Sequence, residues 1–129
     1  MRFMMLMIPK DYASAPADFR PDAKAVATMI KYNEQLQKAG VLLALEGLHA
    51  PAEGARVTFA GGKPSVIDGP FTEAKEMIGG FWIIQAKSRE EAIQWAMRCP
   101  ANETDTIEIR RVFELSEFPA ENSGGCEQA

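Results

Sequence analysis

The sequence predicts an α+β fold in one domain, a sheet with both helices on the same face, and three observations point to it. Two segments carry apolar residues at helical spacing, and they are separated by four or five short apolar runs of strand length. A Gly61-Gly62 pair sits between two such runs, where a hairpin turn would need positive φ. The chain has 129 residues, enough for one compact core and too few for two.

In chain order, Phe3 to Ile8 reads as a strand apolar on both faces, followed by a Pro-, Ala- and Asp-rich loop from Pro9 to Pro21. Asp22 to Ala39 reads as a helix whose stripe is Ala25, Met29, Tyr32, Leu36 and Ala39, ended by Gly40. Val41 to Glu46 is the second strand, and Arg56–Ala60 with Lys63–Ile67 form the hairpin. Asp68 to Glu76 is turn-like, with room for one helical turn, and Gly80 to Ala86 is again apolar on both sides. Ser88 as N-cap and Glu91 three residues on make a capping box for a helix with Ala92, Trp95, Ala96 and Cys99 on one face, stopped by Pro100. Thr106 to Leu115 is the last strand. The domain spans residues 1–118, and Pro119–Ala129 reads as a frayed tail. The order is that of a ferredoxin-like βαββαβ sandwich with an added hairpin.

Two helices cover only one face of such a sheet, yet the first strand and the Phe81–Ile84 strand are apolar on both. The uncovered face would be a larger apolar patch than monomers usually expose. A second copy packed sheet against sheet removes the difficulty, so a homodimer is expected. The competing solution is the Pro9–Pro21 loop folded over that face.

Composition narrows the function. The formal charge is −4 with no block of Lys or Arg, which argues against nucleic-acid binding through phosphates. Cys99 and Cys126 are far apart, which suits a reducing compartment, and the apolar start stops at Pro9-Lys10-Asp11, too short for a signal peptide. No segment approaches membrane-spanning length, so a cytoplasmic location is expected, with no membrane partner. One histidine and two distant cysteines do not make a zinc constellation, and no compact carboxylate cluster suggests calcium. Gly61-Gly62-Lys63-Pro64 lacks the frame of a phosphate loop, and no motif for covalent catalysis is present, so no metal and no cofactor is expected.

The most distinctive stretch is Asp68-Gly69-Pro70-Phe71-Thr72-Glu73-Ala74-Lys75-Glu76. Together with Lys38-Ala39-Gly40-Val41-Leu42, Glu46-Gly47-Leu48-His49, Gly79-Gly80-Phe81-Trp82, Ser88 with Glu90-Glu91-Ala92, and Ile107-Glu108-Ile109-Arg110, it resembles the DGPF branch of the YCII-related family. The likeness runs from about Arg2 to Phe118. It implies a ferredoxin-like fold of the dimeric α/β-barrel type, a cleft in each subunit, and a His–Asp pair proposed as catalytic in some relatives. One relative is a dehydrochlorinase acting on a chlorinated hydroxyquinol, and muconolactone isomerases share the general fold. Some members lie near, or are fused to, sigma-factor-like sequences, which implies a regulatory link.

His49 is the chain's single histidine, and imidazole is the natural proton shuttle near neutral pH. His49 and Asp68 end different strands and are able to converge at one sheet edge, where a carboxylate would orient the ring. They are the candidate catalytic pair; the alternative is a surface-loop histidine without a partner. Phe71 is either a pocket wall or ordinary core. Glu73, Lys75 and Glu76 either contact a polar ligand or face solvent. Arg110 and Arg111 interrupt the alternation of the last strand, through a bulge, surface exposure or a role at a cleft. The expected function is small-molecule binding or cofactor-free proton transfer, as in isomerisation or elimination. The alternative is a regulatory module that binds a sigma-factor-like protein.

Overall fold

The computed structural model describes residues 1–71 and 76–119. The elements run β1 (Arg2–Ile8), α1 (Ala23–Lys38), β2 (Leu42–Gly47), β3 (Ala55–Thr58), β4 (Ser65–Asp68), β5 (Gly80–Gln85), α2 (Arg89–Met97) and β6 (Thr106–Arg111). Four strands form one antiparallel sheet in the order β2-β5-β1-β6, and β3 and β4 pair separately as a small hairpin sheet. This α+β arrangement is consistent with a ferredoxin-like sheet. The tail from residue 120 onward, with Cys126, and positions 72–75 lie outside the described residues.

Strand alternation explains how the sheet acquires its two faces. Phe3 and Met5 of β1 and Trp82 and Ile84 of β5 turn toward the helices and pack with Tyr32, Leu36 and Ala92 in the core. Its polar atoms are satisfied: the Tyr32 hydroxyl donates to the Trp95 carbonyl at 2.7 Å, and Trp82 Nε1 donates to Asn33 Oδ1 at 2.8 Å. The two rings meet edge to face at 5.9 Å, the geometry their quadrupoles favour. Burial raises the Tyr32 hydroxyl well above its ordinary range, so it stays a neutral donor.

The other face holds a second apolar ladder. Register aligns Ala44, Ile83, Met4 and Arg110 in one row and Glu46, Phe81, Leu6 and Glu108 in the next. Met4, Leu6, Phe81 and Ile83 are only half-buried there. The Pro9–Pro21 loop is fastened at the sheet's end, where Tyr12 donates to the Leu48 carbonyl.

Several boundaries differ from the sequence expectation, each for a physical reason. Asp22 caps α1, its carboxylate accepting from the Lys24 and Ala25 N–H groups at 3.1 and 3.2 Å. Of the anticipated stripe, Tyr32 and Leu36 are buried and Met29 is half-buried, but Ala25, in the first turn of α1, and Ala39, its C-cap, are exposed at the two ends of the helix. Gly61 and Gly62 do adopt positive φ, +72° and +79°. The hairpin nevertheless closes at Thr58 and Ser65, so its connection is longer than two residues; Pro64 has no N–H to extend the ladder. β6 stops at Arg111 instead of Leu115. The Val112 N–H bonds the Arg2 carbonyl at 2.9 Å, after which β1 offers no further partner. The turn that follows is tied back by Arg2, whose guanidinium bonds Glu114 through Nε and Nη2, both at 3.0 Å. Ser88 caps α2 by accepting from the Glu91 N–H at 3.1 Å, while the Glu91 carboxylate reaches the Lys87 N–H at 3.4 Å.

Candidate functional site

The DGPF segment and the stretch after β2 meet at one corner of the sheet, and glycines make that meeting possible. The Gly79 N–H donates to the Met7 carbonyl at 2.8 Å, while its own carbonyl accepts from the Leu48 N–H at 2.9 Å. This ties the ends of β1, β2 and β5 together. A Cβ on Gly79 would lie 2.9 Å from Pro9 Cγ, and one on Gly80 would lie 2.9 Å from the Glu46 carbonyl oxygen. Tyr12, buried against this corner, donates to the Leu48 carbonyl at 2.6 Å, and burial raises its hydroxyl above the ordinary value. The backbone just before His49 is therefore pinned from both sides.

After His49 the chain turns. Ala50 and Pro51 are buried, and Pro51–Glu53 form a single 3₁₀ turn closed by the Glu53 N–H to the Ala50 carbonyl at 3.0 Å. The turn carries Glu53 back beneath the imidazole, with Nδ1 and Oε2 2.7 Å apart, an ion pair whenever the ring is protonated. The His49 side chain is 60% exposed and that of Glu53 44%, so both remain reachable from solvent.

Gly69 seats directly on this turn. A Cβ there would fall 1.9 Å from the Pro51 carbonyl oxygen, and the Gly69 N–H donates to the Gly54 carbonyl at 2.9 Å. The Gly69-Pro70 peptide is cis. Phe71 is buried, with the Arg56 guanidinium 4.2 Å above its ring centroid, and Arg56 also reaches Met77 Sδ at 3.6 Å. These contacts clamp the β3–β4 hairpin to the loop that follows it.

The sequence candidates separate accordingly. His49 and the Asp68-Gly69-Pro70 turn do come to the same corner, but the carboxylate against the ring is that of Glu53. Asp68 is exposed, opposite Ala55 in the hairpin register, and forms no ion pair with His49. Phe71 lies in the packing under Arg56, and Glu76 is exposed. Glu73 and Lys75 lie outside the described residues. Glu53, Tyr12 and Arg56 were not anticipated. The four-residue spacing of His49 and Glu53 was the available signal for the first; Tyr12 and Arg56 act across the fold and carry no local signature.

Chemically, the corner offers an accessible imidazole with a carboxylate beside it. The Cys99 thiol is no competing nucleophile: burial, then the charge of Asp105, pushes it up to about 11. Among the described residues, no three His, Cys, Asp or Glu side chains are grouped to hold a metal ion, and no helix is long and apolar enough to cross a membrane. Compared with known proteins, residues 1–116 match the family model of the YCII-related domain. No curated protein matches the chain.

Proposed function

We propose that this chain, which belongs to the YCII-related family, is a cytoplasmic homodimer of the dimeric α/β-barrel type that binds a small cyclic, oxygenated molecule and moves a proton on it through His49. The observation that carries the reading is the 2.7 Å approach of Glu53 Oε2 to His49 Nδ1, beside a loop held in place by Gly69 and Phe71. With Nδ1 facing the carboxylate, Nε2 is left to accept a proton from a carbon next to a carbonyl, the bonding pair passing into the enolate. Glu53 stabilises the imidazolium so formed, and Nε2 returns the proton at the conjugated carbon, which completes an isomerisation. Asp68 adds negative charge at the same corner without touching the ring.

The half-exposed pair gains a wall if a second copy covers the helix-free sheet face. Leu48 continues the parity of Ala44 and Glu46 and remains 43% exposed, so that apolar face runs up to the residue before His49.

Deuterium exchange from D2O into a butenolide tests the reading. Wild-type protein should accelerate exchange, and His49→Asn should lower the rate by about 10²-fold, the lower end of general-base contributions. Glu53→Gln should weaken exchange more than Asp68→Asn does. Equal rates for wild type and His49→Asn would overturn the catalytic reading and favour the regulatory module.

A further inference from the structure

A second concave feature lies at the opposite end of the sheet, a depression of about 400 Å³ lined by Met1, Phe3, Arg89, Ile109, Arg110 and Arg111. Three of the chain's seven arginines line it, in a protein of net charge −4, and among the described residues no carboxylate belongs to its wall. The nearby Glu114 is already engaged by the Arg2 guanidinium, whose hydrogen bond holds its carboxyl below the ordinary range.

Strand register decides which arginines share the depression. Arg111 pairs with Phe3 and Ile109 with Met5, so both turn to the helix side, where α2 begins at Arg89. Arg110 pairs with Met4 and alternates to the other face, meeting Glu108 there at 3.4 Å; it borders the depression along the strand edge. Arg89 and Arg111 are therefore the cationic pair. Among the described residues each has one acidic neighbour, Glu90 at 3.7 Å and Glu117 at 3.1 Å, and each contact uses a single terminal nitrogen. A guanidinium carries five N–H donors in a planar fork, so most remain available. Their side chains are 73% and 52% exposed. Beneath them Phe3, Ile109 and Met1 give an apolar floor.

We propose that this depression is a binding site for a small organic anion, one carrying a carboxylate or phosphate on an apolar, ring-sized body. The guanidinium forks of Arg89 and Arg111 hold the charged end, since planar oxyanions accept two parallel N–H bonds from such a fork. The apolar body lies against Ile109 and Met1, above the edge of the buried Phe3. The volume is of the size small-molecule sites have, roughly 300–1,000 Å³. Inorganic phosphate would satisfy the arginines but leave the floor wet, which separates the two kinds of ligand. Its cationic pair, Arg89 and Arg111, belongs to the helix side of the sheet and to the end opposite His49, so the site does not draw on the His49 corner.

Amide and methyl NMR titrations with phenyl phosphate, benzoate and inorganic phosphate test the assignment. Phenyl phosphate or benzoate should move the Phe3 and Ile109 signals saturably, with affinity at least tenfold above that of inorganic phosphate. The double variant Arg89→Gln/Arg111→Gln should weaken binding at least tenfold and keep the wild-type spectrum elsewhere, while His49→Asn should bind as wild type does. Raising salt should weaken the interaction, as exposed charges require. Binding in the double variant within twofold of wild type would overturn the proposal. So would shifts confined to the His49 corner, or the absence of saturation up to about 10 mM, below which even weak specific ligands register.

Discussion

Two glycines with different surroundings set out the residue scale. Gly69 is hemmed in by the backbone of Pro51 and Ala52, and its place in the Asp-Gly-Pro-Phe run follows from that contact and not from an unusual φ. Gly47, at the end of β2, has open space where a Cβ would go. Gly69→Ala should therefore cost about 3 kcal/mol, since the obstacle is backbone and has no rotamer to escape into. Gly47→Ala should stay within about 0.5 kcal/mol of wild type. Urea unfolding of the two variants checks the contrast, and equal costs would mean that the Gly69–Pro51 contact is not tight. The same local reasoning assigns Glu53 to His49: a turn begun by Pro51 moves the carboxylate only one residue turn away, whereas Asp68 belongs to a separate strand.

At the scale of elements, α1 shows why an amphipathic stripe overstates burial. Its apolar positions repeat correctly from Ala25 to Leu36, yet only the C-terminal half lies over the sheet. Leu36, fully buried beside Phe3 and Trp82, should lose about 3 kcal/mol on replacement by Ala, the transfer and cavity terms together. Ala25→Lys, at an exposed position of the same stripe, should change stability by no more than about 0.5 kcal/mol. Thermal melts of both variants read the difference. A large loss for Ala25→Lys would mean that a partner covers the first half of α1.

At the scale of the whole molecule, the sheet has two apolar faces and helices for one. The row Ala44, Ile83, Met4 is the centre of the uncovered face, so a charge at Ile83 would meet apolar neighbours on both sides. If a second copy sits there, light scattering should give twice the chain mass of 14.2 kDa, and Ile83→Glu should return the single mass with helix content retained. A wild-type protein of single mass at micromolar concentration would remove the dimer and, with it, the wall proposed for the His49 corner.

Local chemistry was legible in the sequence because it depends on neighbours along the chain. The period of Tyr32 and Leu36, the Ser88 cap, the positive φ of Gly61 and Gly62, and strands apolar on both faces could all be read from residue order. The Asp68–Phe71 run lies against the turn that follows His49, through the contact of Gly69 with Pro51. Tertiary structure decided what depends on chains meeting in space. It placed Glu53 rather than Asp68 against His49, because a 3₁₀ turn starting at a buried Pro51 does not announce itself by helical periodicity. It left the first half of α1 uncovered, because sheet width and not helix pattern limits burial. It set Arg111 beside Phe3, because antiparallel register aligns residues from opposite ends of the chain, and it brought Arg89 at the start of α2 to the same depression; residue spacing carries no trace of either.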